Sequence, residues 1–349
     1  MKLTRSATVH ILIIIFMALA ACGKKSPIPA PVPVPPVVSP NGGANANLSN
    51  IAVTVDCSQS QGTLYRFEQA NTTSTTSPLP GEKSRTWLKA LNHKVVRVWI
   101  QLRYVYNNGY NYKYSSSNVP VEDALTFYSS VSDSLLVCMS GYDGTATEPL
   151  PAAGVNYQNF VKQTVVYYKT KFPKIKYIQV GNEPDYNGDP ITVYYPIYKD
   201  YYKGIAAANA ALNLTGNNRI LISNGPFTST TAFSALLPYT NQFLAKYAAD
   251  TDPDKRLDFF SFHCYTENDN PKLLATDRGQ IDNLMSTYSL PKIPVFITEL
   301  GIYGGSFIPS AWPEADAVTA QPAGQIAKMY NLYESGIDRV FNWAAYTEA

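Results

Sequence analysis

The chain has 349 residues, 15% of them charged, and a formal net charge of +2. A balance this close to neutral gives no electrostatic footprint for nucleic acid or for an anionic polymer. Only His10, His93 and His263 are present, and no Cys-x-x-Cys pair occurs, which excludes histidine-rich metal centres, most Ser-His-Asp arrangements and a zinc framework.

In chain order, Lys2 and Arg5 form a short basic head before the apolar run "VHILIIIFMALA" at 9–20. The run is too short to span a bilayer comfortably and leads through small residues to Cys22, the layout of a secretory signal. The stretch "LAAC" at 19–22 resembles the lipobox of bacterial lipoproteins. That resemblance implies cleavage of 1–21, acylation of Cys22 and a lipid anchor in the bacterial envelope, on the periplasmic or surface face of the outer membrane. Residues 24–46 are rich in proline and end in a Gly/Asn joint, so they read as an extended tether. With Cys22 assigned, Cys57, Cys138 and Cys264 remain, an odd and widely spaced set that argues against a disulfide framework. The abundant tyrosine (26 residues) and sparse charge suit an exported protein that handles neutral polar ligands.

Residues 47–349 form one domain, since no second linker-like stretch interrupts them. Strands are predicted at 51–55, 95–100, 134–140, 176–182, 219–224, 257–265, 294–300 and 339–345. Helices are predicted at 82–92, 121–131, 156–171, 193–213, 231–249, 278–288 and 321–335. Alternating strands and helices favour parallel strands with helical crossovers. Eight such strands point to an α/β (β/α)8 TIM barrel. An open doubly wound sheet is the competing architecture, but "VDCSQSQGT" after the first predicted strand carries no phosphate-binding glycine motif. No eighth helix follows 339–345, so the barrel is expected to lack its final helix, as an incomplete reading frame would.

Barrel enzymes work from the C-terminal ends of their strands. Those ends supply Arg97 and Trp99, then Asn182 and Glu183, His263 and Tyr265, Glu299, and finally Asn342 and Trp343. Glu183 and Glu299 thus stand at equivalent depth on the fourth and seventh strands, on opposite walls. Two carboxylates so placed are what glycoside hydrolysis needs. A guanidinium favours the charged form of a nearby carboxylate, and an apolar wall raises the pKa of the other toward the range of a working acid, about 6–7.

"GNEPDY" and "VFITELGIYGG" resemble the strand-4 and strand-7 signatures of the clan A glycoside hydrolases. Within the clan, "NEPD" and "DFFSFHCY" are most similar to family 39, a group that includes β-xylosidases and α-L-iduronidases. The resemblance implies a retaining enzyme with a carbohydrate substrate and no cofactor or metal. It implies that Glu183 is the acid/base and Glu299 the nucleophile, and that Asn182 bonds the sugar 2-hydroxyl. Arg97 and Tyr265 would hold and orient Glu299, His263 would line the site, and Trp343 would form its apolar floor. The third strand departs from the pattern: it offers Tyr142 and Asp143 where a histidine motif is expected.

Two rival functions share these residues: a catalytically inactive glycan-binding surface lipoprotein, and an envelope transglycosylase. Tyr104, Tyr106, Tyr110, Tyr112 and Tyr114, after the second strand, either stack on sugar rings or fold the loop on itself. "TEND" at 266–269 lacks the spacing of a calcium-binding loop. If Cys22 carries the anchor, Cys22→Ala sheds active protein into the soluble fraction; cleaved but still membrane-bound Cys22→Ala protein, seen on fractionation, would contradict the lipobox assignment.

Overall fold

A computed structural model describes residues 69–71, 79, 82–91, 93–106, 109–116, 119–229, 233–265, 273–301, 332 and 335–342. All belong to the unit Tyr65–Ala349. The predicted signal, Cys22, the tether, Trp343 and the strand expected at 51–55 lie outside the described residues, as does the helix at 321–335 apart from Leu332 and Ser335.

The elements run β1 (Gln69–Asn71), α1 (Glu82–Leu91), β2 (His93–Gln101), α2 (Leu102–Val105), β3 (Ser115–Ser116), β4 (Val119–Pro120), α3 (Val121–Ser130) and β5 (Ser132–Ser140). They continue through α4 (Val155–Lys171), β6 (Ile175–Val180), α5 (Ile191–Ala211), β7 (Leu221–Asn224), β8 (Phe227–Ser229), α6 (Phe233–Ala249), β9 (Phe260–Tyr265), α7 (Leu273–Thr287), β10 (Val295–Gly301) and β11 (Arg339–Asn342). β3 and β4 make a small antiparallel hairpin. The others form one parallel sheet in the order β7-β6-β5-β2-β1-β11-β10-β9-β8. Its two ends, β7 and β8, are consecutive in the chain and broken only at Gly225 and Pro226. The ladder therefore returns on itself as an eight-stranded barrel whose fifth strand is split.

At the split, a side chain stands in for the ladder. Asn224 accepts from the Ser261 N–H at 2.9 Å and donates from Nδ2 to the Ser261 and Gly225 carbonyls at 2.9 and 2.7 Å. Gly225 is required there, because a Cβ would lie 2.4 Å from the Val180 carbonyl oxygen. The first barrel position, between β2 and β11, is filled by Gln69–Asn71. This short polar strand carries no apolar run, which is why pattern reading passed over it.

Alternation along the strands sorts side chains into two layers. Inside the barrel, Val95, Leu136, Phe259, Phe296 and Phe341 pack with Tyr177 and Leu221 as a plug. Phe259 and Phe296 stack at 4.4 Å between ring centroids. Outside, the larger core lies between strands and helices. Tyrosine builds much of that outer layer. On α5, Tyr194, Tyr195, Tyr198, Tyr201 and Tyr202 recur at helical spacing and are buried. Their hydroxyls tie down main-chain and acidic groups: Tyr194 donates to Val180 O at 2.8 Å, Tyr201 to Met139 O at 3.1 Å, and Tyr202 to Asp250 at 2.8 Å. The tyrosine content expected to serve a ligand thus serves the helix–sheet interface, where a ring fills space and its hydroxyl reaches a carbonyl.

Helices α4 and α5 are in tight contact at Gly204, where a Cβ would sit 2.8 Å from the Gln158 carbonyl oxygen and from Val161 Cβ. Overpacking of this kind costs about 1–3 kcal/mol, more than the ~1 kcal/mol that alanine gains over glycine in a helix. Gly204→Ala should therefore lower Tm despite its better helix propensity, and a raised Tm in a melting experiment would contradict this packing.

Candidate active site

The chain leaves β6 through a constrained turn. Gly181 has φ +82°, and a Cβ there would fall 2.0 Å from Cε1 of Tyr142, whose ring lies against the glycine. Glu183 is itself left-handed, at φ 48°. A non-glycine residue held there is strained and persists only where its surroundings fix it. They do: the Glu183 N–H donates to Pro226 O at 3.1 Å and the Asn187 N–H to Glu183 O at 2.9 Å. Asn187 Nδ2 donates to Asn182 O at 3.0 Å. The Thr228 N–H donates to Asp185 Oδ2 at 2.8 Å, and the Tyr142 hydroxyl to Asp189 at 2.5 Å. The carboxylate that ends this buried strand is thereby turned into the barrel mouth.

Beneath the turn lies Arg97, fully buried on β2. Its guanidinium donates from Nε to Gln179 Oε1 at 2.6 Å, from Nη1 to Glu299 Oε1 at 2.7 Å, and from Nη2 to Asn182 Oδ1 at 2.8 Å. Its carbon centre lies 4.6 Å from the centroid of the Trp99 ring. Gln179 in turn donates to Thr298 Oγ1 at 2.9 Å. A register shift after Ile297, resumed at Glu299 against β9 and at Leu300 against β11, lets the consecutive residues Thr298 and Glu299 meet this network.

His263, on β9 and paired in register with Glu299, joins the carboxylates. Its Nδ1 lies 2.7 Å from Glu183 Oε1 and 3.4 Å from Glu299 Oε2. Burial pushes its pKa down to about 3, with Glu299 opposing and Arg97 reinforcing the shift. The imidazole is neutral, so these contacts are hydrogen-bonding distances and not ion pairs. Burial also raises the Glu183 pKa from its ordinary value, against the pull of Arg97 and the Thr228 hydroxyl. One oxygen of each glutamate and a His263 nitrogen lie within 4.8 Å of one another. Three such donors could hold a divalent cation, but it would share Glu299 with a guanidinium that already supplies positive charge there.

Arg97, Asn182, Glu183, His263 and Glu299 thus converge at one end of the barrel. Tyr265 pairs through its main chain with Gly301, and its side chain and Trp343 lie outside the described residues. Cys138 is buried, with its thiol 3.3 Å from Gly181 O and its pKa pushed up to about 12 by burial. The tyrosine loop after β2 folds on the barrel: Tyr112 stacks on Tyr167 at 3.9 Å and on Tyr110 at 5.2 Å, and Tyr114 accepts from the Gln101 N–H. Sequence reading passed over Gln179, Thr298 and Asp185. Gln179 was within reach, being the one strongly polar residue on the inward alternation of "YIQVG".

Searched by sequence, the chain matches no family model and no curated protein. Its fold does match solved structures. A glucosidase from Croceicoccus marinus superposes with a TM-score of 0.58 at 15% identity, over 82% of this chain and 61% of that one. An endoglucanase from Pseudomonas stutzeri gives 0.50 at 14% identity, over 79% and 85%. A monomeric β-xylosidase from Caulobacter crescentus gives 0.50 at 12%, over 79% and 59%. The chain spans about three fifths of the length of the first and last of these. At such identity the likeness shows the fold, that of TIM-barrel glycoside hydrolases.

Removing one member of a buried ion pair strands the other, at a cost of about 3–5 kcal/mol. Arg97→Met should lower stability by that order in urea unfolding, and the double variant Arg97→Met/Glu299→Leu should regain part of the loss. A double variant less stable than Arg97→Met would show that the pair does not carry the energy.

Proposed function

We propose that this chain is a retaining glycoside hydrolase working by double displacement through Glu183 and Glu299. The observation that carries this reading is the approach of the two carboxylates to within 4.8 Å across the barrel mouth. Retaining enzymes hold their carboxyls about 5–5.5 Å apart so that one can reach the anomeric carbon, whereas inverting enzymes leave about 6.5–9.5 Å for a water.

The environments of the two groups divide the labour. Glu299, paired with Arg97, is the nucleophile: its carboxylate oxygen bonds to the anomeric carbon as the bond to the glycosidic oxygen breaks. Glu183, whose burial favours its protonated form, gives its proton to that departing oxygen. In the second half Glu183 takes a proton from water, the water oxygen bonds to the anomeric carbon, and Glu299 is released. Asn182 accepts from Arg97 through Oδ1, which leaves its amide nitrogen free to face a sugar hydroxyl. His263, neutral and touching both carboxylates, positions them. Tyr265 and Trp343 complete the proposed substrate contacts.

The neighbours named for glucosidase, endoglucanase and β-xylosidase activity favour β-linked glucosyl or xylosyl glycans as substrate. The signal, Cys22 and the tether favour a lipid-anchored place at the bacterial envelope. Hydrolysis of a panel of aryl glycosides and plant and bacterial polysaccharides, with the anomeric configuration of the product followed by NMR, tests the reading. Net inversion, or no turnover of any member, would overturn it. Transfer of the glycosyl group to sugar acceptors in preference to water would make the enzyme a transglycosylase.

The acid role of Glu183 has two consequences. Glu183→Ala should slow substrates with poor leaving groups far more than activated aryl glycosides, since an activated leaving group needs little protonation. Because burial raises the Glu183 pKa, kcat/KM should fall as pH rises through that raised value, and this alkaline limb should vanish in Glu183→Gln. Glu299→Ala should form no covalent adduct with a 2-deoxy-2-fluoro glycoside, which mass spectrometry reads directly.

A further inference from the structure

We infer that Tyr186 is the platform on which the leaving-group sugar stacks, and that the substrate is therefore an oligo- or polysaccharide with a pyranose on that side of the scissile bond. The inference rests on the glycosidase reading above. Nearly every described tyrosine is engaged: rings pack on rings, as in Tyr104 on Tyr114 and Tyr177 on Phe259, or hydroxyls are bonded, as in Tyr288 to Asn241. Tyr186 is the exception. It is 72% exposed and, among the described residues, makes no ring contact and no side-chain hydrogen bond. A lone exposed aromatic is ordinary on a protein surface. Its place in the chain sets this one apart.

Tyr186 lies on the turn that carries Glu183. The bond from the Asn187 N–H to Glu183 O closes that turn. Tyr186 stands three residues after Glu183, inside the turn that this bond closes. The main chain is held on both sides of the ring: Asp185 is bonded by Thr228, Asn187 reaches back to Asn182, and the Asp189 N–H donates to Pro184 O at 2.9 Å. An exposed tyrosine on a fixed main chain has only two side-chain torsions left to order on binding, so little entropy opposes stacking.

The chemistry then selects which sugar it meets. The acid touches the glycosidic oxygen, so the sugar one bond beyond that oxygen is the part of the substrate nearest the turn. A pyranose with equatorial hydroxyls presents a face of C–H groups, and an aromatic ring covers such a face while its hydroxyl stays in water.

The test compares two leaving groups on one glycosyl group: β-D-glucosyl fluoride with cellotetraose, and β-D-xylosyl fluoride with xylotetraose. Fluoride leaves no sugar for Tyr186 to hold. In Tyr186→Ala the ratio of kcat/KM for the oligosaccharide to that for the fluoride should fall about three- to tenfold, the scale of one aromatic stacking contact. Tyr186→Phe, which keeps the ring, should restore the ratio. A ratio unchanged in Tyr186→Ala, or equally low in Tyr186→Phe, would overturn the platform while leaving the glycosidase reading intact. Wild-type protein that turns over neither pair would overturn both.

Discussion

A single buried guanidinium sets the geometry of this barrel mouth. Arg97 is fully buried and spends its donors on three residues from two other strands: Gln179 on β6, Asn182 just beyond its end, and Glu299 on β10. A charge in such a place is tolerated only when paired and hydrogen-bonded. Here the pairing also acts as a gauge. The planar fork of the arginine fixes how far apart its acceptors stand, and so how Glu299 faces the turn bearing Glu183. A lysine could supply the charge but not the fork.

Above that fork, strain and support are concentrated in one short segment. The left-handed backbone at Glu183 is unfavourable in isolation. Tyr142 packed on Gly181, Pro226 capping the Glu183 amide, and Thr228 holding Asp185 together make it the conformation the barrel imposes. The supports come from the chain just after β5 and from the split strand formed by β7 and β8, which flank β6, so the orientation of one carboxylate depends on its strand's neighbours as much as on its own.

Much of this was legible in the sequence, and the limits have physical causes. The apolar runs of β2, β5, β6, β9 and β10 are long, buried on both faces and bounded by turns, so their existence and order follow from pattern. Glu183, Glu299, Arg97 and His263 stand out because charged or titratable residues are rare at the ends of such runs. β1 was missed because three residues with no bulky apolar side chain carry no pattern. The split of the fifth strand was missed because Gly225-Pro226 reads as a strand's end and not as a pause within it. Tyrosine misled in the other direction. Composition alone does not separate a ring that greets a ligand from one whose hydroxyl caps a strand carbonyl, and on α5 it is the latter. Thr298 was hidden because a polar residue facing into a barrel has the same spacing as an apolar one, whereas Gln179 could have been found as the strongly polar residue of its run.

The splice at Asn224 has a consequence of another kind. Elsewhere around the described barrel, neighbouring strands are joined by peptide groups, which are chemically inert on the timescale of a protein's life. At this seam the joint includes a carboxamide followed by glycine, the sequence in which such a group most readily loses ammonia. Conversion to a carboxylate would remove the donor that now serves the Ser261 and Gly225 carbonyls and set a negative charge against them. The seam is thus a place where this barrel can age: its closure is guarded by the tightness with which Gly225 is held against Val180 and Tyr194, which denies the main chain the freedom that ring closure requires.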